Sequence, residues 1–187
     1  MSQQIAPARS STGDVLAFWR EAGHDRWFEH DKAFDAAIRE RFTATYEDAA
    51  ASQLSDWEKS PEGALALVIV LDQFPRNIFR GSARSFAADS LARAVAERAI
   101  ASGFDRQVAM PERTFFYLPF EHSEALADQK RAVALIRDTG DADLLKWAGL
   151  HADIVQRFGR FPHRNALLGR TTTPEEQAFL DGGGFAG

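Results

Sequence analysis

Cysteine is absent from this chain of 187 residues. Disulfides, thiolate nucleophiles, iron–sulfur ligation and cysteine-rich zinc sites are therefore excluded. We also find no Walker-type phosphate loop, no HExxH motif and no histidine–carboxylate set with metal-ligand spacing on one helix. We expect no cofactor and no metal site, so any catalysis must come from side chains that the fold brings together.

Excess positive charge and long apolar runs are lacking too. Lysine and arginine number 22 against 27 aspartates and glutamates, a net charge of −5 that argues against a general nucleic-acid binder. The longest apolar run, Ala64 to Leu71, is far shorter than the roughly 20 residues needed to span a bilayer. The first ten residues have no apolar core of a signal peptide. We expect a cytoplasmic protein without nucleic-acid or membrane partners, and the oligomeric state is not indicated.

Helical spacing dominates what is present. Phe34, Ile38, Phe42 and Tyr46 follow one another at intervals of four, and no segment alternates with period two for long. Capping residues and glycines divide the chain into roughly eight to ten helices. Asp14 is a candidate N-cap of the first helix and Gly23 its stop, while Asp141 or Asp143 is expected to cap a later helix that Gly159 ends. We predict one all-α domain over residues 11–181, with flexible tails at residues 1–10 and at the glycine-rich residues 182–187.

The apolar run belongs to a central helix that opens at Ser60-Pro61 and turns polar at Asp72. Pro75 is predicted to end this helix, because proline cannot continue it. Asp72 would then lie near a helix C-terminus, where the dipole disfavours a carboxylate by roughly 0.3–1 kcal/mol. We therefore expect Asp72 to be buried and paired with an arginine at position 76, 80 or 84.

Two candidate clusters surround similar Phe-Pro corners. The first contains Asp72, Gln73, Arg76, Asn77, Arg80 and Arg84. The second contains Arg157, Arg160, His163, Arg164 and Asn165. Guanidinium groups bind carboxylates or phosphates with two parallel hydrogen bonds, so the first cluster is either an anion site or an internal clamp. The second is either an anion site or a set of cations that cap a helix C-terminus. Two similar corners suggest two similar helix-pair junctions that lie close in space, although so short a match also arises by chance.

Histidines give two further candidates. His151 lies in the middle of an apolar helical stripe, which is typical either of a satisfied core histidine or of the base of a pocket. His122 and Glu124 flank Ser123 at a helix junction. They are either an acid–base pair or part of a helix start that Ser123 caps.

Three long motifs carry a resemblance to a known family. They are Leu71-Asp-Gln-Phe-Pro-Arg-Asn-Ile-Phe-Arg-Gly81, Phe115-Phe-Tyr-Leu-Pro-Phe120 with His122-Ser-Glu124, and Gly159-Arg-Phe-Pro-His-Arg-Asn165. The chain resembles the bacterial domain-of-unknown-function family 924 from about Val15 to Leu180. The resemblance implies antiparallel helix pairs stacked in a tetratricopeptide-repeat-like right-handed superhelix, and it implies no function. Members usually carry Met where this chain has Glu121, which makes Glu121 a poor candidate for a shared catalytic group.

Two functions follow from these observations. The first is a binding module whose groove, lined by arginine, asparagine and histidine, takes an anionic small molecule or an acidic peptide. The second is a small-molecule enzyme that uses His122, Glu124, His151 or His163 as acid and base beside the arginines. Geometry discriminates between them. An open groove lined by Arg76, Arg80 and Arg164 favours binding, and a closed cavity with two histidines and a carboxylate within hydrogen-bond reach favours catalysis.

Overall fold

The computed structural model describes residues 9–185 and is all-α, with no strand in that range. The α-helices within this range, numbered in chain order, are α1 Thr12–Trp27, α2 Lys32–Ala50, α3 Pro61–Val68, α4 Phe74–Ile78, α5 Asp89–Ala101, α6 Leu118–Glu121, α7 Leu126–Arg137, α8 Ala142–Phe158 and α9 Pro174–Asp181. Between residues 9 and 185, no helix is long and apolar enough to cross a membrane.

The described residues form two compact units. The first comprises those of Met1–Arg80 with Arg84–Pro119, and the second those of Gly81–Ala83 with Phe120–Gly187. The predicted tails fall partly on residues 1–8 and 186–187, which lie outside the described residues. The right-handed superhelical stacking stays a prediction.

The central helix of the first unit continues where the sequence predicted its end. Between α3 and α4 the chain forms one π-helical turn, Ile69–Gln73, in which the N–H of Phe74 donates to the carbonyl of Ile69, five positions back. A π turn shifts the hydrogen-bond register of a helix. Pro75 has no backbone N–H to donate, and it lies where the register changes, so the helix continues through it. The prediction that Pro75 stops the helix is therefore wrong, and Asp72 lies within a continuous helical stretch.

Aromatic rings fill the core of the first unit around this stretch. Trp19 stacks on Trp27 at 5.8 Å between ring centroids and meets Phe74 and Phe115 edge-on. Phe42 packs against Phe74, with 4.8 Å between their ring centroids. Beyond its first turn, α3 is apolar and buried from Gly63 to Val68, because this part of the helix has no polar face to expose.

The second unit packs α7 along α8. Asp141 caps α8 by accepting from the N–H of Leu144, and Gly159 ends it in the left-handed conformation at φ 69°. A 3₁₀ turn, Pro162–Arg164, follows. It leads to α9, whose first turn is closed by a capping box between Thr173 and Glu176. This turn and α8 position the residues of the second predicted cluster.

Two predicted caps differ in the structure. Ser11, and not Asp14, is the N-cap of α1, while Asp14 completes its capping box from the third helical position. Ser123 does not cap α7, which begins after Ala125 without a side-chain cap. The Ser123 hydroxyl instead accepts from the N–H of Ala125 and donates to Asp128.

Candidate functional site

The arginines of the first predicted cluster bind carboxylates of their own unit. Arg76 lies 3.4 Å from the carboxylate of Asp72 and donates two hydrogen bonds, of 3.0 and 3.1 Å, to Asp89. Arg80 donates in the same forked manner to Asp35, at 2.7 and 2.9 Å. The paired hydrogen bonds with which these guanidinium groups could bind an external anion are thus made to carboxylates of the protein itself.

The remaining polar groups of this cluster are engaged in the same way. The amide of Gln73 donates to Asp72 at 2.6 Å, and that of Asn77 donates to Asp35 at 2.8 Å. Asp72 is fully buried, which confirms the prediction of a buried carboxylate paired with an arginine. Arg80 and Asn77 also hold the pKa of Asp35 below its ordinary value against the opposing effect of burial.

In the second unit, two arginines are similarly paired. Arg160 donates two hydrogen bonds to the buried Glu176, at 2.6 and 2.8 Å, and the amide of Asn165 donates to the same carboxylate at 3.1 Å. These contacts and the N-terminus of α9 lower the pKa of Glu176 to about 2. Arg160 and Asn165 therefore connect the Phe161-Pro162 corner to α9.

Glu124 is the second internal anion of this unit. It accepts two hydrogen bonds from Arg170, at 2.7 and 2.9 Å, and a third from the N–H of Phe161, at 2.8 Å. These donors lower its pKa although burial opposes them. A carboxylate with so many donors is a weak base, so its role here is to fix the chain before the corner.

A carboxylate and an imidazole form the most distinctive contact of the second unit. Oε1 of Glu121 lies 2.5 Å from Nδ1 of His151, and the two residues are only 4% and 8% exposed. Glu121 ends α6 and His151 lies in the middle of α8, 30 positions along the chain. A carboxylate that accepts from the Nδ1–H of an imidazole fixes the ring's tautomer, which leaves the lone pair on the second nitrogen, Nε2.

His163 lies beside this pair. Its ring and that of His151 both contact Phe161, at 5.6 Å between ring centroids in each case. Its Nδ1 is buried and has no hydrogen-bond partner within residues 9–185. Burial, with the positive charge of Arg164 and with His151 nearby, lowers the pKa of His163 to about 4. The ring is therefore neutral at neutral pH, and it can both accept and donate.

Arg164 supplies the positive charge of the group. It is buried, lies over the ring of Phe161 at 4.5 Å and donates to the backbone carbonyl of His122 at 3.0 Å. Its charge also lowers the pKa of Glu124. We call Glu121, His151, His163 and Arg164 the imidazole cluster.

The structure thus sorts the predicted site residues into three groups. Asp72, Gln73, Arg76, Asn77 and Arg80 lie in the first unit and bind one another or neighbouring carboxylates. Glu124, Arg160 and Asn165 fix the corner of the second unit, and His122 contributes a carbonyl there. His151, His163 and Arg164 belong to the imidazole cluster. That the two corners lie close together stays a prediction.

Glu121 is the residue that sequence reasoning set aside. It was set aside because family members usually carry Met at this position. The available signal was an acid at the end of a short helix, together with a histidine in the middle of an apolar stripe. A buried histidine needs a polar partner, and a buried glutamate needs one even more. In the described part of the chain, no group of three or more His, Asp or Glu residues is arranged to hold a metal ion.

Comparison with known proteins places the chain in a family. A solved structure of a protein of unknown function from Agrobacterium tumefaciens shares 47% sequence identity with it and superposes with a TM-score of 0.89, over 91% of this chain and 97% of that one. A comparison with curated proteins finds no match. The family model described as bacterial protein of unknown function, DUF924, matches residues 15–184. The chain therefore belongs to the DUF924 family of bacterial proteins.

Proposed function

We propose that the protein binds a small anion at the imidazole cluster of its second unit and transfers a proton to or from it. The observation that carries this proposal is the buried Glu121–His151 pair at 2.5 Å beside a neutral histidine with an unpartnered ring nitrogen. The geometric criterion drawn from the sequence is met in part: His151 lies in hydrogen-bond reach of a carboxylate, and His163 packs on the same Phe161 ring as His151.

Each member of the cluster has a distinct role in this proposal. Glu121 orients His151 and stabilises its positive charge after it takes a proton, which leaves Nε2 as the general base. His163, neutral at neutral pH, hydrogen-bonds the ligand as donor or acceptor through its imidazole nitrogens. Arg164 contributes the positive charge that attracts an anion.

The first unit is less suited to an anion. Arg76 lies between Asp72 and Asp89, and Arg80 forks onto Asp35. An external anion would have to displace these carboxylates and leave them buried without their arginine partners, which costs several kcal/mol. The anion-binding hypothesis therefore moves from the first unit to the imidazole cluster.

Isothermal titration calorimetry with inorganic phosphate and acetate tests the proposal. We expect saturable binding to the wild type that Arg164→Ala weakens about tenfold or more, because a charge-assisted contact contributes roughly 1.5–3 kcal/mol. We also expect the enthalpy to vary with the ionisation enthalpy of the buffer in the wild type, because His151 takes up a proton from the buffer when an anion binds beside it. This dependence should be lost in His151→Gln.

Arg157→Ala is the matched control. Arg157 lies on α8 of the same unit, is exposed and pairs with Glu175, so its loss should leave anion affinity unchanged within about twofold. Equal weakening by both arginine variants would show that only net charge matters. Absence of binding by either anion to the wild type would contradict the proposal.

A further inference from the structure

The end of the described chain folds back onto the two histidines. After α9, residues Gly182–Phe185, which we call the strap, turn so that the ring of Phe185 reaches the imidazole cluster. The ring meets His151 edge-on at 4.5 Å between centroids and meets His163 edge-on at 5.1 Å. One apolar ring therefore occupies the space in front of both imidazoles.

The path of the strap depends on its glycines. Gly183 has φ +78°, and a Cβ on Gly184 would come within 2.6 Å of the ring of Phe179. Only residues without a side chain follow this path, so the sequence Gly182-Gly-Gly184 directs Phe185 into its slot. The glycines also make the strap easy to displace, because they gain much conformational freedom on release.

Few contacts other than the ring hold the strap. Asp181, Gly182 and Gly183 are exposed, and the backbone bonds of the glycines only close the last turn onto α9, from Gly184 N–H to Phe179 carbonyl for example. Phe185 is itself only partly buried, against Ile154, Val155 and Phe161. Its slot is thus a complementary surface for a flat apolar ring, occupied by a tethered group.

We infer that this slot is an aryl-binding subsite of the imidazole cluster, which the strap fills when no ligand is bound. Edge-to-face packing of a ring on two imidazoles and Phe161 favours any flat aromatic group, not phenylalanine alone. This inference rests on the proposed function for the class of ligand: with Arg164 nearby, the ligand is a small anion that carries an aromatic ring. Binding requires release of the strap.

The test compares three probes on the wild type, Phe185→Ala and Leu168→Ala by calorimetry. Benzyl alcohol carries the ring without charge, acetate carries the charge without a ring, and benzoate carries both. We expect Phe185→Ala to bind benzyl alcohol and benzoate about tenfold or more tighter than the wild type does, because the competing ring is gone. Leu168→Ala is the control. It removes an apolar side chain of the same unit that is 38% exposed, and it should bind all three probes as the wild type does.

The outcomes separate this inference from the proposed function. Benzyl alcohol binding that is equal in the wild type and Phe185→Ala, or absent from both, overturns the aryl subsite even if phosphate and acetate bind. Benzyl alcohol that gains affinity in Phe185→Ala while no anion binds any variant supports the subsite and refutes the anion site. Acetate, which has no ring, should gain less affinity in Phe185→Ala than benzoate does. An equal gain would show that the strap only covers the anion site and that the slot does not bind a ring, which overturns the subsite.

Discussion

Arg76 illustrates how a single residue can be indispensable without being part of a site. It joins Asp72, which is fully buried, to Asp89, which is mostly buried. Removing the arginine would leave two carboxylates in a medium of low dielectric constant. We predict that Arg76→Met lowers the free energy of unfolding by about 3–5 kcal/mol.

Chemical denaturation of Arg76→Met and of Arg98→Ala measures this difference. Arg98 pairs with Glu58 in the same unit, and its side chain is 55% exposed, so its loss should cost less than about 1 kcal/mol. Equal losses in the two variants would mean that burial does not distinguish the two ion pairs, contrary to the structure.

His163 gives a prediction about pH at the same scale. Its pKa is lowered from 6.5 to about 4, so in this window the unfolded chain binds a proton that the folded chain does not. This contribution to stability is full above the unfolded pKa and is lost as the pH falls toward the folded one. We therefore expect loss of this contribution to lower the free energy of unfolding by about 1.4 kcal/mol for each pH unit between 6.5 and about 4.

Denaturation curves of the wild type and His163→Gln between about pH 5 and 6.5 test this. The glutamine variant lacks the titrating ring, so its stability should fall less steeply over that range. Parallel curves for the two proteins would show that His163 has an ordinary pKa and is not held neutral.

Partners of individual residues were the least predictable feature. The sequence indicated that Asp72 needs an arginine, because a carboxylate at the predicted C-terminus of an apolar helix requires a compensating charge, and the structure supplies Arg76 four positions along. It did not indicate Asp35 for Arg80, 45 positions away, or Glu121 for His151, 30 positions away. Such pairs depend on how helices pack, which periodicity on one helix does not contain.

At the scale of elements, two helical glycines have opposite surroundings. A Cβ on Gly63 in α3 would collide with the carbonyl oxygen of Trp57, whereas a Cβ on Gly149 in α8 would meet nothing within 4 Å. We predict that Gly149→Ala raises the free energy of unfolding by about 0.5–1 kcal/mol, through helix propensity and reduced freedom of the unfolded chain. Gly63→Ala should lower it by about 1–3 kcal/mol.

The same denaturation experiment on both variants decides this prediction. Each replaces one helical glycine by alanine, so propensity is matched and only the surroundings differ. A stabilised Gly63→Ala, or a destabilised Gly149→Ala, would contradict the packing of the corresponding helix.

Local signals predicted most elements correctly. Ser60 with Pro61, Asp141 and Gly159 mark helix ends as expected, because capping is a property of neighbouring residues. The stop at Gly23 is a kink inside α1. The continuation through Pro75 was not predictable from propensity, since it depends on a π turn that burial of the surrounding apolar residues stabilises.

For the whole molecule, composition and periodicity were sufficient to predict the all-α class, and three motifs were sufficient for the family. The proposed function depends on contacts between distant parts of the chain, which composition, periodicity and motifs do not contain. Glu121, His151 and His163 come from α6, α8 and the turn after α8. Only the packing of the second unit brings the three together, so the sequence indicated the arginine-rich motifs as the main candidates.

The central claim is that this imidazole cluster receives the ligand. Histidine side-chain NMR during a titration with inorganic phosphate tests it most directly, because the five histidines of the chain report separately. We predict saturable shifts of the His151 and His163 signals, lost in Arg164→Ala, while those of His24 and His30 in the first unit stay unchanged. Shifts confined to His24 and His30, or equal at all five, would contradict the account.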